Sequence, residues 1–270
     1  MTAAGPVAGT DAPILDRIAA AHRADRRSFL FKFALTWVAL VGALVLVLGL
    51  TGNISTEFIA SAGPFILGGA TITIFVSITS ILLAVVLAIL GALGRLSANP
   101  VINGIASLYV SLVRGTPLIV QILFVYLALP QVGIVLDVVH GGILALGFNY
   151  GAYMTEIFRA GIQAVPSGQR EAAQALGMKD GALMRRIVLP QAVRIVIPAI
   201  GNDFIAMIKD SALIYLLGVQ ELLWRASTIG RQRLASLEAL LIAATIYWVL
   251  TIVFSFFQER LERRMARGDR

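Results

Sequence analysis

Long apolar runs alternate with short polar segments along most of the chain. Six runs are long enough to cross a bilayer, which takes about 20 apolar helical residues. They cover residues 33–50, 64–93, 101–129, 141–164, 195–217 and 239–257. The pattern therefore predicts an all-α polytopic membrane protein with six transmembrane helices.

Composition supports this interpretation. The chain has 270 residues, of which 58% are hydrophobic and 14% charged, and its mean hydropathy is +0.86. A soluble domain needs more charge to cover its surface. The absence of cysteine excludes disulfides and thiolate metal sites, and His22 and His140 alone make no metal cluster. We therefore expect no metal site in this chain.

The positive charge of the chain indicates its topology rather than a nucleic-acid partner. The net charge is +7, and basic residues cluster in the tails at residues 1–32 and 260–270, on either side of the apolar runs. Such flanking charges set the orientation in the membrane and contact anionic lipid. With six spans, the positive-inside bias predicts that both termini and both tails are cytoplasmic. Among the basic residues, only Arg225, Arg231 and Arg233 then fall outside.

A short polar, basic segment separates the fourth and fifth runs, and we call it the knob (residues 167–190). Ser167 is expected to cap a helix through the alanine-rich stretch that follows. Gly177 tolerates a left-handed exit from that helix. A second helix is expected from Asp180 until Pro190 ends it. Two short helices that meet at a glycine would form a compact projection at the cytoplasmic surface.

Polar residues inside the fifth run are the first candidates for transport chemistry. A charge at bilayer depth costs about 3 kcal/mol on insertion scales, so it usually faces a bundle interior or a pathway. The candidates are Asn202, Asp203, Lys209, Asp210 and Ser211. Asp203 and Asp210 share one helical face, about 10 Å apart along the axis. Two interpretations stay open: these residues line a substrate pathway, or Lys209 and Asp210 form a self-satisfied network that packs helices.

The third run carries a polar break at its middle. Pro117 leaves one helical carbonyl unpaired and bends the helix, which exposes polar backbone that Thr116 or a ligand can satisfy. We therefore add Arg114 and Thr116 to the pathway candidates, and a kink that serves packing alone is the alternative. In the fourth run, Glu156 and Arg159 are three residues apart, and we expect a structural ion pair between them.

The spacing within the knob resembles the EAA loop of permease subunits in binding-protein-dependent ABC importers of the type I fold. The matching positions are Glu171, Ala172, Ala173, Gly177, Ile187, Leu189 and Pro190. Three further segments, 114–118, 150–159 and 209–211, look like the branch that transports polar amino acids. The resemblance extends over roughly residues 64–264. It implies a five-helix transmembrane domain at 64–259, with residues 33–50 as an accessory helix.

The resemblance also implies an assembly of several chains. Two permease subunits, identical or merely similar, would enclose the pathway, which the fifth span lines in this family. Two ATPase subunits would bind the knobs from the cytoplasm and would carry the ATP and Mg²⁺. An extracellular or periplasmic binding protein would deliver the substrate. This chain has no Gly-x-x-x-x-Gly-Lys-Ser/Thr phosphate loop, so we expect neither an ATPase nor an enzyme of its own, and no cofactor.

These observations predict the permease subunit of an ATP-driven importer of polar amino acids in the bacterial cytoplasmic membrane. Unpaired carboxylates at Asp203 and Asp210 would attract cationic substrates such as arginine, lysine or histidine, and Lys209 could meet the α-carboxylate. If Lys209 neutralises Asp210, the preference for cationic substrates becomes weaker, and polar amino acids in general would be accepted. One alternative is a secondary carrier or channel. The other is a membrane anchor for a soluble complex, and the intramembrane charges argue against the anchor.

Overall fold

The computed structural model describes residues 12–51 and 55–266, and these residues form helices and short connections without a β-strand. We number the α-helices in chain order. They are α1 (Ala12–Thr51), α2 (Thr56–Leu67), α3 (Gly69–Arg95), α4 (Pro100–Arg114), α5 (Leu118–Ala128), α6 (Val138–Gln163), α7 (Ser167–Ala175), α8 (Asp180–Leu183), α9 (Leu189–Asp210), α10 (Leu222–Gln232) and α11 (Ser236–Ala266). A 3₁₀ turn follows α5 at Leu129–Val132, and another follows α9 at Ser211–Leu217.

Helix α1 is a unit of its own, separate from the unit that α2 to α11 form. It is a continuous helix of 40 residues, about 60 Å long at 1.5 Å per residue. That length is about twice the thickness of the hydrocarbon core of a bilayer. The accessory helix predicted from residue 33 is therefore the second part of a longer helix. Within the predicted tail, residues 1–11 lie outside the described residues.

Membrane-spanning character is clear for three segments of the described chain. Thr56–Arg95, Asp180–Leu217 and Ser236–Met265 are each long and apolar enough to cross a membrane. A fourth span is possible if Pro100–Arg114 and Leu118–Val132, which meet at an angle of 109°, count as one broken span. The described residues thus contain three or four candidate spans by length and composition, and the number six stays a prediction.

The second predicted span begins earlier than the sequence indicated. Helix α2 starts at Thr56, and Pro64, which was expected to begin the span, lies inside this helix. The helix is interrupted at Gly68 and continues as α3. The apolar run missed this start because Thr56 and Glu57 are polar residues at the first turn, where helices commonly carry them.

The core of the second unit is the packing of α3 against α6. Gly151 of α6 allows a close approach, since a Cβ at this position would lie 2.8 Å from the Leu87 side chain of α3 and 2.7 Å from the hydroxyl of Tyr109. Small residues serve this purpose in membrane bundles, where van der Waals contact between close backbones replaces the hydrophobic driving force. One cluster of fully buried side chains joins α3, α5, α6 and the second 3₁₀ turn, through Val76, Ile122, Leu146 and Ile214.

The knob differs from its prediction at two points. Ser167 is the first residue of α7, and Pro166 occupies the cap position without a side-chain hydrogen bond, so the predicted serine cap is wrong. Pro190 does not end the second helix either. A π-helical turn at Met184–Val188 precedes α9, and Pro190 lies in the first turn of α9. The wider turn moves the preceding carbonyls away from the proline ring, which lets the helix continue.

The segment 218–238, predicted as an external loop, contains helix α10. Glu221 caps this helix by accepting a hydrogen bond from the backbone of Trp224 at 2.7 Å. Helix α11 begins at Ser236 and runs to Ala266, past both ends of the predicted run 239–257. The apolar run marks only the part of α11 that suits the hydrocarbon region, while the polar turns at its ends continue the same backbone hydrogen bonding.

Candidate coupling and transport sites

The EAA positions of the knob divide between an inward and an outward set. Ala173 is buried in a small apolar cluster with Leu183 and Val188. Glu171 and Ala172, the two residues before it, are exposed, and Gly177 is exposed with a left-handed φ of 77°. The inward alanine packs α7 against the rest of the knob, and the glutamate stays exposed at its surface. Of the other three positions, Ile187 is half-buried, and Leu189 and Pro190 are exposed.

Two polar contacts attach the knob to neighbouring helices. The side-chain amide of Gln191 in α9 donates to the side-chain oxygen of Gln169 in α7 at 2.6 Å. The guanidinium of Arg170 donates to the carbonyl oxygen of Ile162, in the last turn of α6. That carbonyl belongs to the group that a helix leaves without an internal donor at its C-terminus. The knob is therefore fixed to the end of α6 and to the beginning of α9.

The two aspartates of α9 have different environments. The Tyr150 hydroxyl of α6 donates to the carboxylate of Asp210 at 2.8 Å. Asp203 is half-buried, and its Oδ2 is buried without a hydrogen-bond partner among the described residues. Lys209 is exposed and makes no ion pair with Asp210 within that part of the chain. The alternative of a self-satisfied Lys209–Asp210 network therefore has no support in the geometry.

The remaining polar residues of this helix make helix-packing contacts. The amide of Gln258 in α11 donates to the side-chain oxygen of Asn202 at 2.9 Å and to the carbonyl of Pro198 at 3.3 Å. Asn202 is therefore directed to α11, and the structure does not bring it together with Asp203. Ser211, the first residue after α9, is buried and donates to the carbonyl of Ile208 in the last turn of that helix at 2.8 Å.

Helix α6 contacts pathway candidates from both the third and the fifth apolar run. The guanidinium carbon of Arg114 lies 5.2 Å from the ring centroid of Tyr153, a geometry that suits a cation–π interaction. Tyr153 is one turn from Tyr150, which holds Asp210. Sequence reasoning did not select the two tyrosines as site residues. Their spacing on one helix face, in a run with few other polar groups, is the signal that could have found them.

The break between α4 and α5 is present at the predicted place. Pro117 has no N–H for the carbonyl of Val113, and the Gln121 side chain donates to that carbonyl at 2.7 Å. The same amide donates to the hydroxyl of Thr116 at 2.8 Å. Asn149 of α6 donates to the side-chain oxygen of Gln121 at 3.1 Å. Gln121 was missed, although a glutamine one turn after a proline in an apolar run is a recognisable signal.

An ion-pair network lies near the knob end of α6. Glu156 accepts from Arg159 at 2.5 Å, so the predicted pair is present, and it also accepts from Arg95 of α3 at 3.1 Å. The second partner was not predicted, because Arg95 ends a different apolar run.

A second acidic residue is buried beside α10. Glu221 accepts from the backbone of Trp224, from the hydroxyl of Tyr247 in α11, and from Thr73 of α3 at 3.5 Å. Burial raises the pKa of its carboxyl above the ordinary glutamate range, against the lowering effect of these donors. Glu221 therefore joins three helices through one side chain. This residue was not predicted as a site, since a lone glutamate in a loop is normally solvated.

No group of three histidine, cysteine, aspartate or glutamate side chains within residues 12–51 and 55–266 is arranged to hold a metal ion.

Comparison with known proteins identifies the family. Residues 84–267 match the family described as the binding-protein-dependent transport system inner membrane component. The chain belongs to this family. Permease proteins of Bacillus subtilis (strain 168) are among the relatives: the arginine transport system permease protein ArtQ is 39% identical over 207 residues, which is 76% of this chain and 94% of that protein. The L-cystine transport system permease protein TcyB is 38% identical over 205 residues, 76% of this chain and 88% of that one.

A further relative and a solved structure support membership of the same family. A putative glutamine transport system permease protein GlnP of Rickettsia typhi (strain ATCC VR-144 / Wilmington) is 36% identical over 202 residues, 74% of this chain and 93% of that one. A crystal structure of an amino acid ABC transporter with histidines has a chain that is 36% identical, with a TM-score of 0.75, covering 79% of this chain and 100% of that one. The predictions of a permease subunit with the type I ABC importer fold, and of a transporter subunit rather than an enzyme, are confirmed.

Proposed function

We propose that this permease imports polar amino acids across the bacterial cytoplasmic membrane, driven by ATP hydrolysis in partner chains. The observation that carries the proposal is the knob, in which a left-handed Gly177 joins two short helices and leaves Glu171 exposed. An exposed acidic turn on a polar projection from a membrane protein suits a soluble partner. The printed functions of the relatives, which are permeases for arginine, cystine and glutamine, support amino acids as the cargo.

The proposed assembly contains two permease subunits, the same or similar, two ATPase subunits that bind ATP and Mg²⁺, and an external binding protein. Six spans, with both termini in the cytoplasm, place the knob on the ATPase side, in accord with the positive-inside bias. The coupling residues would be the exposed Glu171, Ala172 and Gly177 together with the neighbouring EAA positions. Closure of the ATPases would move the knob as a rigid body with the ends of α6 and α9, to which it is hydrogen-bonded.

The proposed pathway residues are Arg114, Thr116, Asn202, Asp203, Lys209, Asp210 and Ser211. Asp203 is the strongest of them, because a buried carboxylate oxygen without a partner is costly unless a ligand satisfies it. The ammonium or guanidinium of a basic amino acid is the ligand that fits a carboxylate. Asp210 is already hydrogen-bonded to Tyr150, so Asp203 alone would select for a cationic substrate. Arg114 and Lys209 are the cations available for the α-carboxylate.

The test is uptake by the reconstituted complex. The permease, with its partner ATPase and binding-protein subunits, is placed in proteoliposomes and supplied with labelled arginine, lysine, histidine, glutamine or glutamate. We expect uptake that requires both internal ATP and the binding protein, with basic amino acids ahead of glutamine. Uptake driven by an ion gradient without ATP would show a secondary carrier instead. Robust glutamate uptake would overturn the charge preference and leave amino-acid import standing.

A further inference from the structure

The carboxylate of Glu156 joins two arginines from different helices. It accepts from Arg159 of its own helix at 2.5 Å and from Arg95, the last residue of α3, at 3.1 Å. The side chain of Glu156 is only 19% exposed, and those of Arg95 and Arg159 are 28% and 29% exposed. Partial burial strengthens such charge-assisted hydrogen bonds over those of solvated surface pairs. Glu156 is therefore a well-held connection between α3 and α6.

Arg95 continues this connection to α4. Its guanidinium donates to the hydroxyl of Ser107, and its backbone carbonyl accepts from the amide of Asn103 at 2.8 Å. The Ser107 hydroxyl in turn donates to the Asn103 side-chain oxygen at 3.1 Å. Helix α4 is the helix that ends at Arg114, directly before the break at Pro117. The network therefore reaches the helix that carries a proposed pathway residue.

The other end of the network reaches the knob. Arg159 donates to the side chain of Gln163, the last residue of α6, at 2.7 Å. In the same turn, the carbonyl of Ile162 accepts from Arg170 of α7. Polar contacts thus join α3 and α4 to the last turn of α6, and α7 is hydrogen-bonded to the backbone of that same turn.

We propose that Glu156 is a positioning residue that transmits movement of the knob to α4 and thereby to the break in the pathway. The proposal rests on the proposed function, because it assumes that an ATPase moves the knob. A carboxylate can accept from both arginines at once, whereas a neutral amide offers one acceptor oxygen and turns an NH₂ group towards a guanidinium. The charge of Glu156 is thus what the link requires, and its loss breaks the polar connection of α3 and α4 to this end of α6 while the helices stay packed.

The experiment measures the coupling ratio, defined as amino acids imported per ATP hydrolysed, in the complete reconstituted complex. Glu156→Gln is expected to lower this ratio by about two- to thirty-fold, the range over which mutations along coupled networks act, while the ATPase subunits remain bound. The matched control is Glu259→Gln, which removes a carboxylate from an exposed ion pair with Arg263, at 2.9 Å in α11. The control should keep the wild-type ratio.

Three further variants, at Ser107 and Arg95, keep the proposal falsifiable if Glu156→Gln fails to assemble. Ser107→Ala removes the hydroxyl that joins α4 to the Arg95 guanidinium, leaves both ion pairs of Glu156 and the bond from Asn103 to the Arg95 carbonyl in place, and should lower the ratio in the same direction. Arg95→Lys keeps the charge and should restore most of the ratio that Arg95→Gln loses. A wild-type ratio in Glu156→Gln, or in Ser107→Ala when the first variant does not assemble, would overturn the proposal. A wild-type complex without ATP-dependent uptake would instead refute the proposed function.

Discussion

The side-chain amide of Gln121 lies 2.7 Å from the carbonyl oxygen of Val113, the acceptor that Pro117 leaves without its helical donor. One side chain thus repairs the hydrogen bond that the proline removes, and it holds the polar backbone of the break in place. Unsatisfied backbone groups cost several kcal/mol in an apolar environment. The 109° bend between α4 and α5 is therefore tolerated because Gln121 follows it.

Gln121→Glu tests this relationship directly. The substitution keeps the size of the side chain but removes its NH₂ group, so the Val113 carbonyl loses its donor at 2.7 Å, keeps only the contact with the Thr116 hydroxyl at 3.5 Å, and meets a carboxylate. We expect the purified protein to lose about 1–3 kcal/mol of stability, measured as a lower thermal unfolding midpoint, together with reduced uptake. Gln131→Glu is the matched control, since Gln131 makes a similar bond to the carbonyl of Leu127 at 3.2 Å on an exposed surface. Equal losses in both variants would contradict the role of Gln121.

Gly177 offers a prediction about the knob. Its φ is 77°, and a Cβ at this position would meet nothing within 4 Å. Gly177→Ala therefore has room, and its cost of about 1–2 kcal/mol comes from the left-handed backbone alone. We expect weaker retention of the ATPase during purification and lower transport. Gly181→Ala is the control, because Gly181 has equal space and lies in the helical turn of α8. A fully retained ATPase in Gly177→Ala would remove the proposed role of this turn.

Glu221 carries a prediction about pH. Burial raises the pKa of its carboxyl, so the protonated form is favoured in the folded state. Its contribution to stability is fully present below the ordinary glutamate pKa and is lost as the pH rises through the raised one. Glu221→Gln should therefore flatten the fall in thermal unfolding midpoint with increasing pH. Glu221→Ala should lower the free energy of unfolding by about 1 kcal/mol through the lost helix cap. A parallel pH profile in Glu221→Gln and the wild type would contradict this assignment.

Sequence reasoning succeeded where one residue determines the local structure. Pro117 and Gly177 act through their own backbone geometry, so the break and the left-handed turn were predictable. It failed where a neighbouring element changes the outcome. Pro190 was expected to end a helix, but the π turn before it accommodates the ring, and no simple pattern marks such a turn.

Contacts between distant segments were the other unpredictable part. Glu156 with Arg159 was predicted from a three-residue spacing, whereas Arg95 is 61 residues away and ends a different helix. Glu221 meets Thr73 from 148 positions earlier. Such pairings depend on how the helices pack, which periodicity along one helix does not contain. Asp203 was predicted as a candidate from its polarity alone, but its unpartnered oxygen is visible only in the packed bundle.

Helix α1 is predicted to be dispensable for transport. The relatives ArtQ and GlnP match 76% and 74% of this chain over 94% and 93% of their own lengths, which indicates that the family unit does not need a further helix. We expect a variant that lacks residues 1–50 to insert with the remaining spans in their original orientation and to transport normally. Membrane insertion and uptake are measured together. Normal insertion without transport would show that α1 has a functional role.

Asp203→Asn tests the substrate preference. The buried Oδ2 of Asp203 has no partner among the described residues, so a cationic side chain would gain a charge-assisted hydrogen bond there that a neutral one lacks. Removing the charge should lower arginine uptake by about tenfold or more, since hydrogen bonds to charged groups contribute about 1.5–3 kcal/mol. Glutamine uptake by the same variant should change little, because its amide can bond to asparagine as well as to aspartate.

Asp210→Asn is the matched control for this measurement. Asp210 lies seven residues along the same helix, but its carboxylate is already hydrogen-bonded to the Tyr150 hydroxyl at 2.8 Å. An asparagine oxygen can accept that bond, so arginine uptake should fall less than in Asp203→Asn. Equal losses of arginine and glutamine uptake in Asp203→Asn would show that this carboxylate supports the structure of the pathway rather than its charge selectivity. A larger arginine defect in Asp210→Asn would assign the selection to Asp210 instead.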